Sequence, residues 1–151
     1  MTTFVYDHAK GLILSGSLDF PGSTFKVMLL MEDTSANLEL SAAVIDDFTT
    51  LDEYDGDGYD RKDLLYPRVK EIASSHASSF AAEDVLFEAL GASTRNAKGL
   101  LVYKHVTDDS DSIPIAYLEP PGFPFAGDGT PLGIMWDPDE SSVLATSQNL
   151  S

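Results

Sequence analysis

The stretch that decides the fold is "KGLLVYKHVTDDSDSIPIAYLE", residues 98 to 119. Its two ends are rich in aliphatic, aromatic and β-branched residues, whereas its middle, "DDSDS", is polar and typical of a turn. Two apolar segments joined by a short polar turn predict a β-hairpin over residues 99 to 118. Pro114 lacks a backbone N–H, so it indicates an edge or entry position in the second strand.

Several other segments also predict strands. "FKVMLLM", residues 25 to 31, is apolar on both faces and is typical of a strand that is covered on both sides. Further strands are predicted in "YDRKDLLY" from about Tyr59, in "LGIMWD" (132–137) and in "SVLATS" (142–147). "RVKEIA" (68–73) is also read as a strand, although Val69 and Ile72 alternate poorly. The last two would be joined by the turn "PDES", residues 138 to 141.

Helical patterns are short. The spacing of Val5, Ala9, Leu12 and Ile13 predicts an amphipathic helix over residues 6 to 15, capped by Asp7 and ended by Gly16. "SAAVIDDFTT" (41–50), with Ser41 as a cap, predicts one or two helical turns, and "DVLFEAL" (84–90) fits helix or strand equally well. We therefore expect one mainly β domain over residues 1–151, a sandwich or barrel-like fold with one or two short helices.

Charge restricts the partners. The 151 residues carry 9 basic and 25 acidic side chains, for a net charge of −16. Binding to nucleic acid or to an anionic membrane surface needs clustered Lys and Arg, so we expect neither partner. There is no cysteine, which excludes disulfides and thiolate chemistry, and the first residues predict no signal peptide. A partner must be basic or must meet a locally neutral, apolar patch.

The segment "DEYDGDGYDR", residues 52 to 61, is the strongest candidate for a metal site. Alignment to a calcium-binding EF-hand loop places Leu64 where a bidentate carboxylate is required, and the following residues predict a strand instead of a helix. A looser calcium site at Asp55 and Asp57 stays open as an alternative. The favoured interpretation is a tight acidic turn in which Gly56 and Gly58 supply positive φ angles, with the acids from Asp46 to Asp63 facing solvent.

No pattern predicts catalysis or a cofactor. His8, His76 and His105 are far apart and lack metal-ligand spacing. The serines lack a nucleophile-elbow motif, and "GDG" (127–129) is not followed by the Lys of a phosphate-binding loop. We therefore expect a protein that is not an enzyme and holds no metal or cofactor.

The segment "PPGFPFAGDGTP", residues 120 to 131, predicts an ordered loop because proline restricts its backbone and its two phenylalanines favour burial. The rings could line the core of the chain itself. They could instead form a preordered apolar arm that loses little entropy on docking. On the second interpretation, the candidate partner-binding residues are Phe123, Phe125, Pro120, Pro121 and Pro124.

Three segments together resemble a family of small virion proteins of tailed bacteriophages. They are "FKVMLLMEDT", the acidic segment from Asp52 to Leu64 with its Gly58, Tyr59 and Arg61, and "AEDVLFEALGASTRNAKGLLVYKHVTDDSDSIPIAYLE". The last segment, residues 82 to 119, is the most specific, and the resemblance extends over roughly residues 5 to 146.

The resemblance implies a structural protein of the virion without catalytic chemistry. It indicates a capsid decoration (cement) protein that is made in the host cytoplasm and binds the outer surface of the head shell. Its partners would then be the major capsid protein and further copies of itself, as a homotrimer or dimer. A tail, neck or fibre component is an alternative, and so is a non-viral calcium- or carbohydrate-binding β-module.

Overall fold

The computed structural model describes residues 3–19, 22–66, 68–72, 77–120, 122–136 and 146–150. A short strand β1 (Thr3–Val5) leads into the helix α1 (Asp7–Leu14), and β2 (Phe25–Met31) follows. A 3₁₀ turn (Ile45–Asp47) and the acidic segment precede β3 (Lys62–Leu64). The remaining strands are β4 (Arg68–Ile72), β5 (Ala77–Ala81), β6 (Val85–Phe87), β7 (Ala97–Lys104), β8 (Ile113–Leu118), β9 (Leu132–Trp136) and β10 (Thr146–Leu150).

The larger sheet has the order β1-β8-β7-β2-β3 and is antiparallel throughout. The predicted hairpin forms its centre as β7 and β8, and the predicted strand over 25–31 pairs with β7, with Leu29 opposite Leu100. Pro114 lies near the start of β8, beside a register shift in β7, and β1 pairs only with the later residues from Ala116 to Leu118. The entry position predicted for Pro114 is therefore confirmed, although β8 itself lies inside the sheet.

A second sheet has the order β10-β9-β6, and β4 pairs with β5 in a two-stranded sheet. Phe87 of β6 and Ile134 of β9 belong to the same buried core as the central strands of the larger sheet. Within the described residues the larger sheet ends at β1 and β3 and does not close on itself. The prediction of a mainly β fold is confirmed, and the open sheets correspond to a sandwich-like domain instead of a barrel.

The helix α1 confirms the prediction over 6–15, but not its start. Tyr6 is the N-cap residue and provides no side-chain cap, whereas Asp7 is the first helical residue. Tyr6 is fully buried and its hydroxyl donates a hydrogen bond of 2.7 Å to the carbonyl oxygen of Ala36. Tertiary packing of this ring therefore sets the start of the helix, while Gly16, with φ of 75°, follows its end as predicted.

Other boundaries differ from the prediction. The helix expected over 41–50 is reduced to the 3₁₀ turn, where the Asp47 carboxylate, and not Ser41, accepts hydrogen bonds from the backbone N–H groups of Ala43 and Val44. The ambiguous segment 84–90 forms the strand β6. The last strand begins at Thr146, and the predicted turn 138–141 and most of "SVLATS" lie outside the described residues.

Candidate interaction surface around the acidic loop

The acidic loop, residues 52 to 60, is tied to the sheet and to the segment 89–95 by its backbone. The N–H of Tyr54 donates to the carbonyl oxygen of Leu29 at 2.9 Å, and the N–H of Gly91 donates to that of Asp57 at 2.8 Å. The Tyr54 ring is buried, and its hydroxyl donates to the carbonyl oxygen of Gly91 at 2.6 Å. The loop is therefore an ordered part of the fold, as the interpretation of a tight turn requires.

The two glycines of the loop act differently from each other. Gly58 has φ of 81°, as predicted, and so needs a residue without a side chain. Gly56 has no positive φ, and this part of the prediction is wrong. It is glycine because a Cβ atom there would overlap the carbonyl oxygen of Gly91 and the ring of Tyr54. Close approach of two backbones, instead of turn geometry, explains Gly56.

Asp52 is turned into the protein, contrary to the prediction that all acids from Asp46 to Asp63 face solvent. Its carboxylate is only 5% exposed and is bound by the guanidinium of Arg95 through both Nε, at 3.0 Å, and Nη2. The backbone N–H of Asp33 donates to the same carboxylate at 2.8 Å. The hydrogen bond from Arg95 is the main cause that lowers the pKa of Asp52. This pairing offsets the desolvation that would otherwise oppose burying a charge.

Glu53 is also turned inward, towards Arg61. Arg61 donates to Glu53 from Nε and Nη2, both at 2.8 Å, and to Asp109 from Nη1 at 2.6 Å and Nη2 at 2.9 Å. The Tyr59 hydroxyl donates to Glu53 at 2.6 Å, and the Arg61 guanidinium lies 5.5 Å from the centroid of the Tyr103 ring. One arginine thereby joins the acidic loop, the end of β7 and the β7–β8 turn.

The remaining acids of the loop are exposed. Asp55 accepts hydrogen bonds from the backbone N–H of Thr94, at 2.8 Å, and from its hydroxyl. These bonds, the hydroxyl first, lower the pKa of Asp55. Asp57 and Asp60 are exposed beside it. Within the described part of the chain, no group of three or more His, Cys, Asp or Glu residues could hold a metal ion.

Two of the histidines lie in the described residues, His8 on α1 and His105 directly after β7. His105 makes an edge contact with Tyr103, with ring centroids 6.5 Å apart, and His8 lies exposed on α1. His76 lies outside the described residues.

The Phe-Pro loop, residues 122 to 130, joins the same surface. The N–H of Ala97 donates to the carbonyl oxygen of Phe125 at 2.8 Å, and the N–H of Phe125 donates back to the carbonyl oxygen of Ala97 at 3.1 Å. Gly129 donates to the carbonyl oxygen of Leu90 at 2.7 Å. A Cβ atom at Gly127 would overlap the Tyr54 hydroxyl, so the Phe-Pro loop contacts the acidic loop directly.

The predicted partner-binding residues occupy different environments. Phe123 and Phe125 are half-buried, with ring centroids 5.0 Å apart in an edge contact, and pack against the core of their own chain. Pro124 is exposed, Pro120 is buried, and Pro121 lies outside the described residues. The structure thus gives the rings an internal contact and leaves part of each ring, together with Pro124, on the surface.

Sequence reasoning missed Asp33, Gly91, Thr94 and Arg95. They hold the acidic loop from 19 to 43 residues away in sequence, so no local pattern connects them to it. The only available signal was that "ALGASTR" (89–95) lies inside the segment of strongest resemblance.

The pKa shifts of the carboxyl groups indicate which protonation state the fold favours. A general acid or base near neutral pH needs a carboxyl group with a raised pKa. Where a carboxyl pKa shifts clearly among the described residues it shifts downward, because each such group accepts hydrogen bonds; the groups are Glu39, Asp52, Asp55, Asp109, Asp111 and Asp128. These six carboxylates are thus stabilised in the ionised form.

The chain matches no protein-family model, no curated protein and no solved structure. Among the described residues, no helix combines the length and the apolar character that crossing a membrane requires.

Proposed function

We propose that this chain is a bacteriophage virion protein that decorates the capsid, binding the outer surface of the head shell and stabilising it. The observation that carries the proposal is the meeting of separate segments in one surface. The acidic loop and the segment 89–95, both within the resemblance to phage virion proteins, are joined by the backbone hydrogen bond from Gly91 to Asp57, by the Tyr54 hydroxyl and by the bonds from Thr94 to Asp55. Most of these contacts fix the positions of backbone segments and of charged side chains. A surface with fixed shape and charge is suited to fit against another protein.

The charge supports this role. A net charge of −16 keeps free copies soluble before assembly. The hydrogen-bonded carboxylates remain ionised, so that repulsion persists at neutral pH. On an assembled shell, many weak contacts repeated over the lattice would hold the protein by multivalency, so each contact needs only modest affinity.

The shell-facing contact is proposed at the Phe-Pro loop. The exposed Pro124 lies between two half-buried rings whose positions are set by the core and by the pairing of Phe125 with Ala97. An apolar contact that is already ordered loses little conformational entropy on binding. The major capsid protein would then meet Pro124 and the exposed parts of the two rings, with the ionised Asp128 and acidic loop beside them.

Copy number tests the location in the virion. Quantitative mass spectrometry of purified particles, with cryo-electron microscopy to place the protein, is expected to find it in hundreds of copies on the outside of the head. If six to a dozen copies were found at the neck or tail instead, the protein would be a tail, neck or fibre component and not a capsid decoration protein. Absence from particles would exclude both.

A paired variant tests the contact. Phe123→Ser with Phe125→Ser is expected to weaken attachment to shells that lack the protein by about tenfold or more. The rings also contact the core, so the free variant will lose some stability as well. Val102→Ala, in the fully buried centre of the large sheet, is the matched control, with a stability loss of roughly 1–3 kcal/mol.

Attachment is measured by co-sedimentation at a temperature where circular dichroism shows both variants folded. The control is expected to attach normally, whereas attachment of the loop variant is weakened by about tenfold or more. Equal attachment by the two variants would show that the rings serve only the core.

A further inference from the structure

Three Asp-Gly dipeptides occur in the chain, and they are Asp55–Gly56, Asp57–Gly58 and Asp128–Gly129. An aspartate cyclises onto its own backbone most easily when glycine follows it, because glycine has no side chain to hinder attack by its amide nitrogen. In an unfolded chain, the three dipeptides would therefore react at similar rates. The fold places them in three different environments, and these environments decide which dipeptide reacts.

The dipeptide Asp55–Gly56 is protected at its carboxyl group. Thr94 donates to the Asp55 carboxylate from its backbone N–H, at 2.8 Å, and from its hydroxyl, and these bonds, the hydroxyl first, lower the pKa of Asp55. A carboxylate held in the ionised form is a poor target for a nucleophile. Gly56 is buried against the carbonyl oxygen of Gly91 and the ring of Tyr54, so its nitrogen has little room to move.

The dipeptide Asp128–Gly129 is protected at both reacting groups. Thr130 donates to the Asp128 carboxylate from its hydroxyl, at 2.6 Å, and from its backbone N–H, at 3.1 Å, and the hydroxyl bond is the main cause that lowers the pKa of Asp128. The N–H of Gly129 donates to the carbonyl oxygen of Leu90 at 2.7 Å. This bond fixes the orientation of the nitrogen and has to break before the nitrogen attacks.

The dipeptide Asp57–Gly58 has neither kind of protection. Both residues are exposed, so solvent water reaches them. Across the described ranges, no group donates a hydrogen bond to the Asp57 carboxylate, and none accepts one from the N–H of Gly58. The hydrogen bond from Gly91 reaches the carbonyl oxygen of Asp57 and involves neither reacting group.

We propose that Asp57 is a site of isoaspartate formation in the folded protein. The amide nitrogen of Gly58 bonds to Cγ of Asp57, and the proton of that nitrogen leaves with the carboxyl OH as water, which closes a five-membered succinimide ring. A water molecule then opens the ring. Breaking the bond between the nitrogen and Cγ restores aspartate, whereas breaking the bond between the nitrogen and the α-carbonyl carbon leaves isoaspartate. The water lost in closure is regained in opening, so the reaction balances without any other reactant.

Isoaspartate changes the connection between the acidic loop and the segment 89–95. Its main chain runs through Cβ and Cγ of residue 57, and the carbonyl group that accepts the hydrogen bond from Gly91 becomes part of a free carboxylate. The loop is lengthened at this point, while the net charge stays the same. Because the reaction needs only solvent water, it does not depend on the function proposed above.

Water enriched in a heavy oxygen isotope tests the proposal, because each ring opening adds one solvent oxygen atom to the residue. The folded wild type is incubated in this water at neutral pH, and tandem mass spectrometry of its proteolytic peptides measures the label and the isoaspartate at each dipeptide. We expect both to accumulate at Asp57 about tenfold or more faster than at Asp55 or Asp128, a factor that one hydrogen bond to a charged group imposes on a rate. The chain unfolded in guanidinium chloride is the control and should be labelled at similar rates at all three aspartates.

A variant tests whether hydrogen bonding is the cause of protection. Thr94→Val removes the hydroxyl bond to Asp55 and should speed labelling several-fold at Asp55 while leaving Asp57 and Asp128 unchanged. Thr94 is exposed, and circular dichroism checks that the variant is folded. The proposal is overturned if Asp55 or Asp128 of the folded wild type reacts as fast as Asp57, or if Asp57 stays unlabelled over a period in which the unfolded chain reacts.

Discussion

At the scale of single residues, glycines mark the places where loops approach too closely for a side chain. Gly127 and Gly56 both lie against the backbone of Gly91 and the Tyr54 side chain. Gly11, in the middle of α1, has no atom within 4 Å of a Cβ built there. A side chain is therefore sterically blocked at Gly127 and Gly56 but has free space at Gly11.

Replacing each glycine with alanine tests this difference. Gly127→Ala is expected to lower the free energy of unfolding by roughly 1–3 kcal/mol, because the Cβ displaces the Tyr54 hydroxyl or the Gly91 carbonyl. Gly11→Ala should raise it by about 0.5–1 kcal/mol, since alanine is the better helix former. Urea denaturation measures both, and equal effects of the two substitutions would contradict the close approach.

Asp55 and Asp57, two neighbouring acids of the acidic loop, are likewise expected to contribute differently to stability. Asp55→Asn should destabilise the protein, because its ionised carboxylate accepts both hydrogen bonds from Thr94. Asp57→Asn should leave stability nearly unchanged, as for most exposed surface substitutions. The change in melting temperature shows whether Asp55→Asn is the more destabilising of the two substitutions. Unfolding of the wild type on addition of a chelator would instead favour the alternative of a calcium site.

At the scale of elements, Arg61 is the link between the acidic loop and the β7–β8 hairpin. It holds a carboxylate from each element, Glu53 and Asp109, in bidentate pairs. The geometry couples the two elements through Arg61, so a substitution at Asp109 is expected to affect the acidic loop as well.

The pH dependence of stability tests this link. The hydrogen bonds from Arg61 lower the pKa of Asp109 below its ordinary value of 3.8. The stabilisation is therefore fully present above the unfolded-state pKa and is lost as the pH falls through the lower, folded-state pKa. At pH 7 we expect Asp109→Asn to be less stable than the wild type by roughly 1–2 kcal/mol, allowing for partial exposure.

The difference should shrink as the pH falls below 3.8, because the wild type then loses the same charge. The exposed Asp60→Asn is the matched control and should show no such convergence. Urea unfolding at a series of pH values gives both curves. A constant difference between the wild type and Asp109→Asn at all pH values would mean that the ion pair with Arg61 is not the cause.

At the scale of the whole molecule, the net charge of −16 opposes compactness. Raising the salt concentration from about 0.01 M to 0.15 M shortens the screening length from about 30 Å to about 8 Å. Repulsion among exposed acids is long-ranged and is screened strongly, whereas the partly buried pairs of Arg61 and Arg95 are screened less.

Sodium chloride is therefore expected to raise the melting temperature by about 2–4 °C over that range, the shift that roughly 1 kcal/mol produces in a chain of this size. Differential scanning calorimetry measures the shift. Asp57→Asn with Asp60→Asn should reduce it, because the variant has less repulsion to screen. A fall in melting temperature with salt would mean that the ion pairs outweigh the general repulsion.

The sequence by itself determined the elements whose pattern is local. The strands β2, β7 and β8 follow from apolar residues on both faces and from the polar turn between β7 and β8. The helix α1 follows from its spacing, and the acidic character of the molecule follows from composition. Each of these depends on residues that are close in the chain.

Only the tertiary structure decided which charges are buried and which loops meet. The Asp52–Arg95 and Asp109–Arg61 pairs join residues 43 and 48 positions apart, and the Tyr54–Gly91 hydrogen bond spans 37 positions. An acidic run gives no sign of which carboxylate will find an arginine, because that depends on where distant segments come together. A charge can be buried only where it has a partner, and the fold determines which residue that partner is.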